Sequence, residues 1–96
     1  MVVHIVMFEF KDENKTENIL KAKAMLEALP QKIEGLKLME VGVDFSRSER
    51  AFDMSLYSAF ETKEDLSIYA THPAHLEVVA FIKEVTKSSK VVDYEK

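Results

Sequence analysis

The sequence contains no cysteine, which excludes disulfide staples, thiolate nucleophiles and cysteine-based metal sites. Glycine and proline are nearly as scarce: Gly35, Gly42, Pro30 and Pro73 are the only ones among 96 residues. Connections must therefore be short. No linker divides the chain, and a single domain over residues 1–96 is expected. Basic residues are outnumbered, thirteen against seventeen acidic, leaving a formal charge of −4. That balance gives no electrostatic footprint for nucleic acid or for an anionic membrane. Long apolar runs are missing as well. The opening MVVHIVMFEF lacks a basic n-region and is broken by Glu9 and Lys11. Neither a membrane span nor a signal peptide is expected, and the cytoplasm is the default location. There is no H-E-x-x-H pair, EF-hand loop or glycine-rich phosphate loop, so no metal and no cofactor is implied. What remains, 47% hydrophobic and 31% charged residues, is the composition of a folded domain rather than a disordered one.

Hydrophobic periodicity divides the chain into seven elements. Residues 2–10 read as a strand with Val2, His4, Val6, Phe8 and Phe10 on one face and Val3, Ile5 and Met7 on the other. From about Asn14 to Leu29, the spacing of Ile19, Ala22, Leu26, Leu29 and Ile33 predicts a helix with one buried stripe. Asn14 and Glu17 have the spacing of a capping box, and Pro30 stops a clean continuation. A second strand is expected at about Leu36–Asp44, then a polar surface turn at Ser46–Arg50. A third strand over 52–60 sets Phe52, Met54 and Leu56 against Asp53, Ser55 and Tyr57. Thr62 and Asp65 mark a short helix with Leu66 and Tyr69 inward, ending near Thr71 because His72 precedes Pro73. Pro73 suits the first turn of the next helix, whose stripe is Val78, Val79, Ile82 and Val85. A last strand is expected at about Lys90–Tyr94.

The order strand–helix–strand–strand–helix–helix–strand is that of an α+β, ferredoxin-like βαββααβ fold with an antiparallel four-stranded sheet. All helices then lie on one face. The other carries Val3, Ile5 and Met7, with Met39, Val41 and Val43 expected beside them. Such a bare face is larger than a monomer tolerates, and the economical cover is a second copy of the same sheet.

The segment Tyr69-Ala70-Thr71-His72-Pro73-Ala74-His75 concentrates the chemistry. Imidazole exchanges protons near neutral pH, and a phenol can donate to an oxygen anion. His75 lies on the buried stripe, where an imidazole must find a partner or line a cavity. His4 falls between Val2 and Val6 on the helix-facing side of the first strand and can reach the same space. Plain structural roles compete: His72 as a helix cap, His75 bonded to a backbone carbonyl, His4 satisfied within the core. His72 and His75 are spaced i, i+3 but straddle the proline, and no third metal ligand follows.

Taken together, several segments resemble the stress-responsive A/B-barrel family of dimeric α+β barrel proteins. They are Met1–Phe8 with Phe10-Lys11-Asp12, Gly42-Val43-Asp44-Phe45-Ser46, and Phe52-Asp53-Met54 through Phe60-Glu61-Thr62. Tyr69 through His72-Pro73-Ala74-His75 and Val91-Val92-Asp93-Tyr94 complete the set. The resemblance implies a ferredoxin-like protomer and a homodimer whose two sheets pack into an α/β barrel. One branch of the family is a plant polyketide cyclase, whose catalytic pair corresponds to Tyr69 and His75 and whose pocket includes the histidine matching His4. The first helix here, with Ala24, Met25 and Leu26, lacks that enzyme's pocket tyrosine.

Tyr69 and His75 are thus the catalytic candidates, and His4 and His72 the candidate ligand contacts. Three functions stay open. The chain is a homodimer binding a small apolar or aromatic molecule, a cyclase- or isomerase-like enzyme with His75 as base and Tyr69 as orienting or acid group, or a non-enzymatic protective oligomer.

Overall fold

The computed structural model describes residues 1–96. It contains strand β1 (Val2–Phe10), helix α1 (Lys15–Glu27), strand β2 (Leu36–Val43), strand β3 (Met54–Phe60), helices α2 (Lys63–Thr71) and α3 (Pro73–Val85), and strand β4 (Thr86–Glu95). The strands form one antiparallel sheet in the order β2-β3-β1-β4, the expected ferredoxin-like arrangement. No helix is long and apolar enough to cross a membrane.

β1 is central and apolar on both faces. Its helix-facing residues Val2, Phe8 and Phe10 join Met54, Leu56 and Phe60 of β3 in the core. The core is closed by Ile19, Ala22 and Leu26 of α1 and by Tyr69, Val78 and Ile82 of the later helices. Fully burying an aromatic such as Phe60 contributes roughly 2–3 kcal/mol relative to exposure. Pro30 ends α1 as expected: the chain tightens into a single 3-10 turn at Leu29–Gln31, with Leu29 and Ile33 extending the stripe. Gly35 then turns the chain with φ +94°, where a Cβ would meet the Asp65 carboxylate at 3.0 Å.

Four expectations need correction. Met39 and Val41 do not belong to the helix-free face. A bulge between Leu36 and Leu38 shifts the register and inverts the alternation beyond it. Met39 and Val41 therefore pair opposite Ser58 and Leu56 and pack with the core, and Val43, opposite Met54, follows them. Leu38 instead turns outward and is exposed. The Asn14–Glu17 capping box does not form, because Asn14 adopts a left-handed backbone (φ 51°) without a side-chain cap. Its carbonyl accepts from Asn18 N–H at 2.9 Å. β4 begins four residues earlier than expected: Thr86 caps α3, its hydroxyl donating to the Ile82 carbonyl at 2.8 Å, and starts the strand with no intervening loop.

The fourth correction concerns Asp53, expected on the outward side of the third strand but 2% exposed. It precedes β3, so strand alternation does not govern it. One carboxylate oxygen accepts from Phe10 N–H at 2.7 Å and the other from the Arg47 guanidinium at 2.9 Å, with Lys15 Nζ at 3.7 Å. Its own N–H donates to the Phe8 carbonyl, and its carbonyl accepts from Asp44 N–H, both at 2.9 Å. A single residue thus ties β1, the start of α1 and the loop between β2 and β3. Burial pushes its carboxyl up, but the Phe10 N–H, Arg47 and Lys15 outweigh this and hold its pKa below the usual 3.8. A depressed pKa gives stability that is complete above the ordinary carboxylate value and lost as pH falls through the folded one. Asp53→Asn should lower stability by about 2 kcal/mol at pH 7. In urea denaturation, the difference from wild type should shrink as pH falls below about 4, which checks the sign.

Candidate functional site

α2 starts where Thr62 Oγ1 accepts from Asp65 N–H at 3.1 Å and must stop before Pro73, since the preceding residue is barred from helical geometry. His72 accordingly sits at φ −65°, ψ 135°. Its Nδ1 accepts the Ala74 N–H at 3.0 Å, capping α3. The break brings the last turn of α2 against the first turn of α3. Tyr69 and His75 stack there with ring centroids 4.1 Å apart and planes at 34°. Phe60 supports the phenol ring from the sheet at 5.1 Å. From β1, His4 meets Tyr69 edge-on at 6.2 Å.

These three side chains line one cavity of about 210 Å³ between sheet and helices. Its walls are apolar, with Val6, Phe8 and Leu56 on the sheet side and Val79 and Ile82 on α3. Its two exposed lining residues, Lys83 and Ser89, mark the mouth. An apolar hole of about 150 Å³ accepts a benzene molecule, so this space fits a single ring with a short substituent rather than a long chain.

Each polar group is held in a defined state. His75 Nδ1 lies 3.2 Å from the Ala70 carbonyl. A carbonyl only accepts, so Nδ1 carries the proton and Nε2 keeps its lone pair. Burial lowers the pKa of His75, the Ala70 bond acts in the opposite direction, and His4 and His72 reinforce the lowering. His75 is therefore neutral at pH 7. Burial pushes the Tyr69 phenol far up, so it stays protonated, and its buried hydroxyl has no hydrogen-bond partner. His4 Nδ1 lies 2.5 Å from Asp93 Oδ1. The carboxylate accepts, so Nδ1–H donates and the orientation of the ring is fixed.

His72, expected among the ligand contacts, is not part of the lining; its ring nitrogen is committed to the α3 cap. Two residues at the site are not among the candidates that the sequence offers. Asp93 pairs with His4 because it lies directly opposite on β4, a register that no local pattern reveals. Lys83, the one fixed charge in the lining, is an exposed helix lysine that no sequence motif marks.

Known proteins share this architecture. The family model of the stress responsive A/B barrel domain matches residues 2–96. The chain belongs to this family. It is 35% identical over 79 residues to a stress-response A/B barrel domain-containing protein of Arabidopsis thaliana, a match covering 82% of this chain but only 30% of that longer protein. With a second protein of the same description from the same plant it shares 32% identity over 98 residues, covering 97% of this chain and 87% of the relative. A dimeric ferredoxin-like protein of unknown function from Bacteroides fragilis NCTC 9343 superposes with a TM-score of 0.91 at 35% identity. That superposition covers 99% of this chain and 95% of the other.

In this A/B barrel chain the state of His75 is measurable. Its pKa is lowered on folding, so protonation favours the unfolded chain. The associated stability is complete above about pH 6.5 and is lost on acidification. NMR titration should give a midpoint for His75 below 6.5, with nitrogen shifts of the Nδ1–H tautomer. His75→Gln should flatten the stability–pH slope between pH 5 and about 6.5.

Proposed function

We propose that the chain is a homodimeric binder of a small apolar or aromatic molecule, held between Tyr69 and His75 with His4 beside it. The observation that carries this reading is the Tyr69 hydroxyl. A buried, unpaired hydroxyl costs about 1–3 kcal/mol, and here it belongs to a residue that lines a largely apolar cavity. A ligand with an apolar body and one acceptor atom supplies both what the walls and what the phenol lack.

A second reading, proton transfer, is favoured by the free Nε2 of the neutral His75 stacked on that phenol. His75 Nε2 would take a proton from carbon next to a carbonyl, while Tyr69 donates a hydrogen bond to the carbonyl oxygen as charge develops there. The His4–Asp93 pair would keep a further oriented imidazole at the cavity wall.

The dimer half of the reading rests on the open face of the sheet. Met7, Leu38, Val92 and Tyr94 are 42–58% exposed. The register places them on the side away from the helices, together with Ile5 and Tyr57. A second copy of that face would cover them.

Tyr69→Phe separates a ligand-facing phenol from a structural one. It should leave stability unchanged or raise it by about 1 kcal/mol, since it deletes an unpaired polar group. It should also weaken binding of small aromatic ketones or phenols about 5- to 10-fold in calorimetry. Loss of stability with binding untouched would defeat the reading. If His75→Ala abolishes turnover of such a compound rather than only its affinity, the proton-transfer reading prevails. For the dimer, Ile5→Asp buries an unpaired charge in the seam at a cost of several kcal/mol. Light scattering should show the wild type as a dimer at micromolar concentration and this variant as a monomer.

A further inference from the structure

We propose that the cavity selects a small aromatic carboxylate, with the ring between the apolar walls and the carboxylate at the mouth against Lys83. This rests on the binding reading above and specifies its ligand. The chain is acidic overall, with seventeen carboxylate side chains against thirteen basic residues. Yet none of the twelve residues lining this cavity is Asp or Glu, and the one residue among them carrying a fixed charge is Lys83.

Lys83 is also free to act. The ion pairs of the chain engage Lys15, Lys23, Lys37, Lys63, Lys87 and Arg47 with carboxylates within 4 Å, and Lys83 is not among them. Lys83 is exposed and lines the cavity, and a lysine at the rim of an apolar site can lay its stem on the apolar wall and keep its ammonium in water. Its position in the last turn of α3 also suits the negative end of the helix dipole. That role would not discriminate between ligands.

Polar residues therefore interrupt the apolar lining at both buried and exposed positions. Tyr69 is buried and His75 partly so, while Lys83 and Ser89 are exposed. The cavity offers one positive charge, which matches a monoanion. The volume limits the body to one ring with a short arm. Electrostatics enters twice: it raises affinity for the anion and guides its approach to a chain whose net charge of −4 would otherwise repel it.

The test uses the full chain with 3-phenylpropionate and its uncharged amide, which have nearly the same shape. Calorimetry gives affinity, and NMR of the Tyr69 and His75 rings shows where each ligand sits. The acid should bind at least 5-fold more tightly than the amide at low ionic strength, with the ratio falling as salt rises. Lys83→Gln should bring the ratio to about one, and Lys83→Arg should keep it. Because Lys83 is exposed, unchanged circular dichroism should accompany both substitutions. Equal or tighter binding of the amide, or a ratio that survives Lys83→Gln, overturns the proposal. If both ligands then still move the Tyr69 and His75 signals, the cavity reading stands without it. If neither ligand moves those signals, the cavity reading itself fails and the carboxylate proposal falls with it.

Discussion

The site depends on a constraint at one peptide position. Proline at 73 bars residue 72 from helical geometry, and His72 answers by turning its own ring nitrogen into the cap of the next helix. An uninterrupted helix would set residues 69 and 75 six positions apart, about 240° around the axis and 9 Å along it, with no means of stacking. The break folds two successive turns toward each other and brings the rings to 4.1 Å. The same residue that was a candidate for ligand chemistry is thus what enables its neighbours to meet.

The rest of the fold can support an underfilled region because it is secured elsewhere. The cavity leaves one hydroxyl unpaired and about 210 Å³ unfilled, features that lower stability. At the start of α1, by contrast, Asp53 satisfies both carboxylate oxygens and both of its backbone groups. The protein concentrates hydrogen bonding where the β2–β3 loop must be held and leaves it incomplete at the buried Tyr69 beside the cavity. A chain of this size has stability of only about 5–15 kcal/mol, so such a division is consequential.

Much of this was legible in the sequence. β1, α2 and α3 follow from local signals: a short, nearly continuous apolar run, a threonine cap followed by Asp65, and the His-Pro stop. Tyr69 and His75 were legible because a proline and an inward-facing stripe fix their positions within a few residues. What escaped depends on pairing between distant strands. The bulge at Lys37 cannot be seen in Leu36-Lys37-Leu38-Met39, whose apolar residues suit either face, and so Met39 and Val41 were placed on the wrong side. Asp93 was equally hidden, since only the β1–β4 register puts it opposite His4. The Asp53 carboxylate is held by three partners, Phe10, Lys15 and Arg47, of which the farthest lies 43 positions away, each unremarkable alone.

The direct passage from α3 into β4 has a mechanical consequence. Lys83 and Ser89, at the mouth of the cavity, flank a junction in which Thr86 ends the helix and begins the strand. With no loop there is no slack, so neither residue belongs to a segment that can swing aside as a lid. Within one protomer β4 is held along a single side, by β1 alone. A ligand of the kind proposed would pass a rim that cannot swing open, and whatever covers the free edge of β4 in an assembly would stiffen that rim further.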